Sequence, residues 1–478
     1  MSHATAPQVS FADWELMHQE STLDPLLAAI SELLDQEEEI IERIRLDLER
    51  GLKRPAMGRG GLTPAQVLRS LVLMRVKSWD YRELRERIAD GYSLRHFTHF
   101  YARAVPQHHA FNRAFNRLTP ESLRYINALI VQTAVELGLE DGDRLRVDTT
   151  VVQSEIHRPT DNTLLADTVR VITRLVKHLG EIVPRAVSLF HNRNRSAKRR
   201  SQAIQRMTSR ERQTRQTRKY RELIEITQEV VQSARVVLNE NQKATVSDAL
   251  EAAKLQGLRQ EIEHYCQLGG KVIDQARRRV LEGEKVPNAE KVFSIFEPHT
   301  DLIKRGKVLT PEEFGHKVFL AESEQGLITQ YEVLVGNPHD QDQVEVSLEH
   351  HHATFGHAPH CYAADRGFQN ADNEKACKRH GVNEVCLPQC GGQKTPQRAA
   401  YEKTPKFKQA QRFRAGIEGR ISVLFRGRGM KRCRAKGRER FEVFVGAAVL
   451  ANNLLRIAAL LESRTKESKK SSRKTKVA

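Results

Sequence analysis

Three carboxylates stand at places where a folded chain normally avoids them. Asp148 lies in the middle of the alternating, β-branched run Arg144-Leu145-Arg146-Val147-Asp148-Thr149-Thr150-Val151-Val152. That pattern reads as a strand, and a carboxylate buried in one is costly unless it is paired or binds a metal. Asp365 closes the small apolar strand Cys361-Tyr362-Ala363-Ala364 and is followed by the turn Arg366-Gly367-Phe368. Glu418 lies beside the apolar stripe Ile417, Ile421 and Leu424 of a helix expected over 413–425. Acids at strand ends, with a third on a covering helix, could hold Mg²⁺, which takes hard oxygen ligands and keeps several waters. Two such ions about 4 Å apart would activate a water or hydroxyl and stabilise the leaving oxygen in phosphodiester cleavage. Other readings stay open at this level. Asp148 could pair with Arg144 or Arg146, Arg414 is spaced to pair with Glu418, and Asp143, Asp161 and Asp340 are also available.

The chain of 478 residues is long enough for two or three cores. Its formal net charge of +18 points to an extended polyanion, usually nucleic acid, as partner; a solvated basic surface is the other reading. No basic segment followed by an apolar run opens the chain, so no signal peptide is expected. The apolar stretch 441–461 is interrupted by Glu442, Asn452, Asn453 and Arg456, which fits a buried helix better than a membrane span. Six scattered cysteines, with only Cys386 and Cys390 close together, read as reduced thiols rather than a closed zinc site.

The elements that must position the acids follow in order. Asp24-Pro25, Thr63-Pro64, Asp80 and Thr119-Pro120 each open a helix with a capping side chain, giving a helical N-terminal domain over residues 1–140. The short helices ending at Ser93-Leu94-Arg95-His96-Phe97 read either as a helix-turn-helix or as part of a plain bundle. Residues 164–285 are helical and polar, and the dense basic run 193–221 is either a solvated face or a phosphate-tracking one. Strands are expected at 291–296, 316–320, 327–335, 361–365 and 382–387, with helices at 343–352 and 373–380, an α/β alternation. Residues 389–408 read as a loop and 463–478 as a disordered basic tail. His350, His351, His352, His357 and His360 read as surface residues.

Together, Val147-Asp148-Thr149-Thr150, Ala364-Asp365-Arg366-Gly367-Phe368 and Gly416-Ile417-Glu418-Gly419-Arg420 resemble the catalytic blocks of bacterial insertion-sequence DDE transposases. Their order is similar too, as are Pro159-Thr160-Asp161 after the first acid and Gly336-Asn337-Pro338 before the second. The resemblance implies an α/β fold with a ribonuclease H-like mixed-sheet core over 141–462, carrying a long helical insertion after its first strand. Many relatives instead carry a β-rich insertion between the second Asp and the Glu. It implies Asp148, Asp365 and Glu418 as catalytic metal ligands, Mg²⁺ as cofactor with Mn²⁺ as substitute, and Arg414, Arg426, Arg366 and Lys317 as DNA-binding residues. In the family's signature around the Glu, a Tyr and a Lys flank the Arg and Glu; here Gln411 and Phe425 hold those positions, with Arg426 one step later. The implied activity is cleavage at transposon ends and strand transfer into target DNA. The implied partners are double-stranded DNA and a second copy in a homodimer, with no membrane, at the nucleoid in a bacterial cytoplasm. A nuclease on the same core that does not join strands, and a non-catalytic repressor derived from a transposase, are the alternatives.

Overall fold

A computed structural model describes residues 23–53, 60–242, 244–304 and 312–475. The chain divides into two compact units, one formed by residues 1–153 and 316–478, the other by residues 154–315.

In the first unit the N-terminal helices are α1 (Pro25–Gln36), α2 (Glu38–Glu49), α3 (Pro64–Lys77), α4 (Tyr81–Asp90), α5 (Tyr92–Phe97), α6 (His108–Phe115) and α7 (Pro120–Glu136). Their caps are those expected. Asp24 accepts from the amides of Leu26 and Leu27, Thr63 forms a capping box with Gln66, and Asp80 accepts from Arg82 and Glu83. The helix that opens at Asp24-Pro25 stops at Gln36, and α2 begins after Glu37. The expected border near residue 140 is not a border in packing. Leu27, Val67, Leu71 and Ile126 share one core with Leu450, Leu454 and Ile457 of the last helix, α16 (Arg438–Thr475).

The sheet beneath is mixed. Its strands are β1 (Arg144–Ser154), β3 (Glu312–Ser323), β4 (Ile328–Val333), β5 (Cys361–Ala363), β6 (Glu384–Cys386) and the short β7 (Arg432–Cys433). β1, β5 and β6 run parallel, β3 and β4 antiparallel, and β7 pairs with β1. Helices α12 (Val344–Phe355) and α13 (Ala371–Arg379) connect the strands; α14 (Pro396–Lys403) and α15 (Pro405–Gly427) follow the sheet. Residues 389–408, expected as a loop, therefore contain α14 and the start of α15. Thr395-Pro396 and Thr404-Pro405 open them, with each threonine hydroxyl accepting from the third helical amide. The expected tail is also helical, as far as Thr475.

Helix α16 is long and apolar enough over Arg438–Glu467 to cross a membrane by length and composition, but 78% of that apolar window is buried inside the fold. The asparagines that interrupt it have a structural use. Asn453 donates to Asn127 Oδ1 (2.9 Å) and to the Ile328 carbonyl (2.8 Å), and accepts from the Ile328 amide (2.9 Å). These bonds satisfy the backbone of β4 and fix α16 and α7 against it.

The histidine stretch is not uniformly at the surface. His351 is 2% exposed and packs at a tilt against Phe355 with ring centroids 4.6 Å apart. Burial, helped by His357, pulls its pKa from 6.5 down to about 4; burial and Arg69 do the same to His99. Between pH 6.5 and 4 the unfolded chain binds protons that these folded rings refuse, so stability falls as pH drops through that window. At about 1.4 kcal/mol per pH unit, each ring contributes a loss on the order of 3 kcal/mol. Urea unfolding at pH 7 and pH 4.5 should show this decline, and His351→Phe should make it shallower. An unchanged slope in that variant would exclude His351 as a source.

The second unit is helical: α8 (Asp161–Ile182), α9 (Asn194–Gln205), α10 (Ser209–Glu240) and α11 (Ala249–Ala276) enclose their own core around Val169, Leu223, Val230 and Ile262. This is the helical insertion expected after the first strand. Residues 291–296 are not a strand. Val292 and Ile295 are buried in the helical core, and the Val292 amide donates to Gln275, so apolar packing replaces a ladder. The strand lies later, as β2 (Asp301–Lys304), pairing antiparallel with residues 312–315. Asp161, set beside the first acid by its position in sequence, accepts from Gln275 and pairs with Arg279 (2.8 Å), a tie within this unit.

Candidate active site

β1 and β5 pair in parallel with Arg144 opposite Cys361 and Arg146 opposite Ala363. The offset is constant: 361 − 144 = 217 and 363 − 146 = 217. Asp365 and Asp148 are separated by the same 217 residues, so the same offset relates Asp148, midway along β1, to Asp365, just past the end of β5. Asp148 is 6% exposed and accepts from the Thr149 amide at 2.7 Å. Asp365 caps the turn that follows it, accepting from the Gly367 amide at 2.8 Å.

Helix α15 brings the third acid, and Arg414 joins all three. Its Nη2 lies 2.9 Å from Asp148 Oδ2 and 3.7 Å from Asp365 Oδ2, while its Nη1 lies 3.0 Å from Glu418 Oε1. The i,i+4 pair legible in the sequence is therefore one arm of a three-way bridge. The carboxylates differ in setting, since the side chain of Asp148 is buried and that of Glu418 is 68% exposed. Among the described residues no three His, Cys, Asp or Glu side chains form a metal-holding group. The Arg414 guanidinium lies between the three acids.

What aims α15 at the strand ends is a second charge cluster. Glu322 on β3 is 0% exposed and accepts from Arg146 Nε and Arg420 Nε, each at 2.7 Å. Arg146 also donates to the Phe413 carbonyl at 2.8 Å, and the Arg144 and Arg146 guanidiniums lie 4.3 and 4.8 Å from the centre of the Phe413 ring. Gly416 allows that approach, because a Cβ there would fall 2.2 Å from Arg146 Nη1. The first and third acids are thus held by residues two positions before one and two positions after the other.

A fourth acid adjoins the cluster. Asp340 accepts from Thr149 Oγ1 (2.9 Å) and pairs with Lys317 Nζ (3.1 Å). A Cβ at Gly367 would lie 3.0 Å from Asp340 Oδ2 and 3.1 Å from Asp365 Oδ1. Of the expected DNA-binding residues, Arg414 is at the cluster, and Lys317 is turned inward onto Asp340 and the Pro338 carbonyl. Arg366 is exposed on the turn after Asp365, and Arg426 is exposed about three helical turns beyond Arg414. Sequence reasoning passes over Glu322 and treats Asp340 as one acid among many; the signal for the latter is its place two residues after the Gly336-Asn337-Pro338 turn.

Comparison with known proteins gives one match. Residues 303–454 fit the family model described as the transposase DDE domain. No curated protein and no solved structure matches the chain. The matched segment contains Asp365 and Glu418; Asp148 lies before it, cut off in sequence by the helical unit. Residues 303–454, which carry β4, β5, β6 and helix α15, are thus similar to the transposase DDE domain.

Proposed function

We propose that this protein cuts phosphodiester bonds at the ends of a transposon and joins the freed 3′-OH to target DNA, on a ribonuclease H-like core. The observation that carries this reading is the convergence of Asp148, Asp365 and Glu418, from the middle of β1, the end of the parallel strand β5 and a covering helix, on one cation. The donor set is all oxygen, which suits a hard divalent ion such as Mg²⁺, with Mn²⁺ as substitute. Asp148, Asp365 and Glu418 would hold it, and when bound it would supply charge stabilisation to the attacking and leaving oxygens. The chain's own residues do the rest. β1 and β5 fix two acids at one level, the Glu322 ion pairs orient the helix that brings the third, and Arg414 balances their charge. Arg366 and Arg426, exposed on either side, would face phosphates of a DNA substrate. As a DNA-handling enzyme it would work as a homodimer in the bacterial cytoplasm, at the nucleoid.

The test is a Mg²⁺-dependent strand-transfer assay on labelled transposon ends. Asp148→Ala, Asp365→Ala and Glu418→Ala should each lose at least about a thousandfold in joined product, about 4 kcal/mol of barrier, with thermal unfolding unchanged or raised. Joining retained in all three variants excludes the assignment. Free ends without joined strands in the wild type would favour a nuclease, and binding without cleavage a repressor.

A further inference from the structure

Seven cations and one carboxylate line a cavity of about 860 Å³ in the first unit, away from the acids. The cations are Arg75, Arg82, Lys431, Arg432, Arg434, Lys436 and Arg440, and the acid is Asp80, whose carboxylate is committed to capping α4. Arg82 and the five cations from the 431–440 segment are exposed at its mouth. Arg75 lies deeper, with its guanidinium 4.2 Å from the centre of the Phe444 ring. Its Nε is shielded from solvent and has no hydrogen-bond partner among the described residues. Burial pushes its pKa down, only partly offset by Tyr81 and Cys433. A guanidinium with a shielded Nε that makes no ion pair among the described residues, beneath a rim of exposed cations, is an arrangement that leaves positive charge unbalanced.

Trp79, Tyr81 and Phe425 complete the wall. Phe425 ties the cavity to the acids, because it lies on α15 seven residues beyond Glu418. At 1.5 Å per residue that is about 10 Å along the helix, which corresponds to roughly three nucleotides of a duplex strand at 3.4 Å each. We infer that this cavity is a phosphate clamp that grips the backbone of a DNA strand about three nucleotides from the bond held at Asp148, Asp365 and Glu418. The inference rests on the proposed DNA-handling function and deepens it. It makes α3, α4 and the 428–437 segment a second DNA-binding surface, with Arg75 as its deepest phosphate ligand. The Phe425 that stands in place of a signature lysine becomes part of the wall, its missing charge supplied by the neighbouring segment.

The test is fluorescence anisotropy with a labelled duplex of transposon-end sequence, titrated over 50–200 mM NaCl. Arg434→Gln combined with Arg440→Gln removes two exposed cations without touching a core. The slope of log Kd against log salt should fall by about 1.8, and Kd at 0.1 M NaCl should weaken by about tenfold for each phosphate no longer held. Arg75→Met, which keeps an apolar stem on Phe444, should weaken binding similarly with its melting temperature unchanged or raised. Wild-type binding with an unchanged slope in the double variant overturns the clamp and leaves the function standing. No binding of the duplex by the wild type overturns both. Displacement of the duplex by equimolar inorganic pyrophosphate would identify a pocket for small free anions instead, and also overturns the clamp.

Discussion

Glu322→Ala is expected to lower the unfolding free energy by about 3–5 kcal/mol and to abolish strand transfer. The side chain has no exposure to solvent, and both its oxygens are engaged by guanidiniums from different elements. Removing it does not simply delete two ion pairs. It leaves Arg146 and Arg420 partly buried without their anion, and that is the costly outcome for a buried charge cluster. Arg146 then has no reason to hold its course over Gly416 to the Phe413 carbonyl, so α15 loses its register against β1, and Glu418 moves with it. Glu322→Gln keeps the shape and one acceptor, and should cost less. Urea unfolding of the three proteins gives the first number, and strand transfer at a temperature where all remain folded gives the second. A loss below about 1 kcal/mol for the alanine variant, within the range of an exposed pair, would show that the cluster does not hold the helix.

That cluster also marks where sequence reasoning runs out. Asp148 and Asp365 are legible because each breaks a local rule, an acid in or at the end of an apolar strand. Their equal offset from the strand register cannot be seen until the register itself is known. Glu322 breaks a rule too, but it falls two residues past the run His316-Lys317-Val318-Phe319-Leu320 that carries the strand pattern, so it looks like a turn residue. Its partners lie 176 and 98 residues away in sequence. From the residues, Arg414 is legible as a helix neighbour of Glu418, and the resemblance adds it as a DNA-binding residue. Its other two partners are tertiary, and nothing in a helical spacing announces them. The helix at 396–403 and the first turns of the helix at 405–427, ahead of the expected 413–425, escape notice for a different reason. Their Thr-Pro openings repeat the device that is plain at Thr63 and Thr119, but the polar residues between them carry little apolar periodicity. Residues 291–296 fail in the opposite direction, since a short apolar run packs equally well against helices as in a sheet.

Arg414→Met should tighten the binding of Mn²⁺ by about 10- to 100-fold while reducing strand transfer. The guanidinium now occupies the space between three carboxylates, 2.9 and 3.0 Å from two of them. A divalent cation entering there must displace it, at the cost of charge-assisted hydrogen bonds worth about 1.5–3 kcal/mol each. Methionine keeps the length and apolar stem of the side chain but offers no donor, so that competition disappears. The same change strips the three acids of the guanidinium between them, so the metal-free variant should be less stable, and added metal should stabilise it more than the wild type. Calorimetric titration with Mn²⁺ measures the affinity directly, and thermal unfolding at increasing Mn²⁺ measures it by linkage, about 2.7 kcal/mol at a hundred times Kd. Asp148→Ala in the same background should remove the gain, because the affinity belongs to the acids. Weaker Mn²⁺ binding in Arg414→Met would show the reverse, that the arginine supports the metal-holding geometry rather than competing with it. The sequence departure at Gln411 and Phe425 would then leave Arg414 as the residue on which the whole cluster depends.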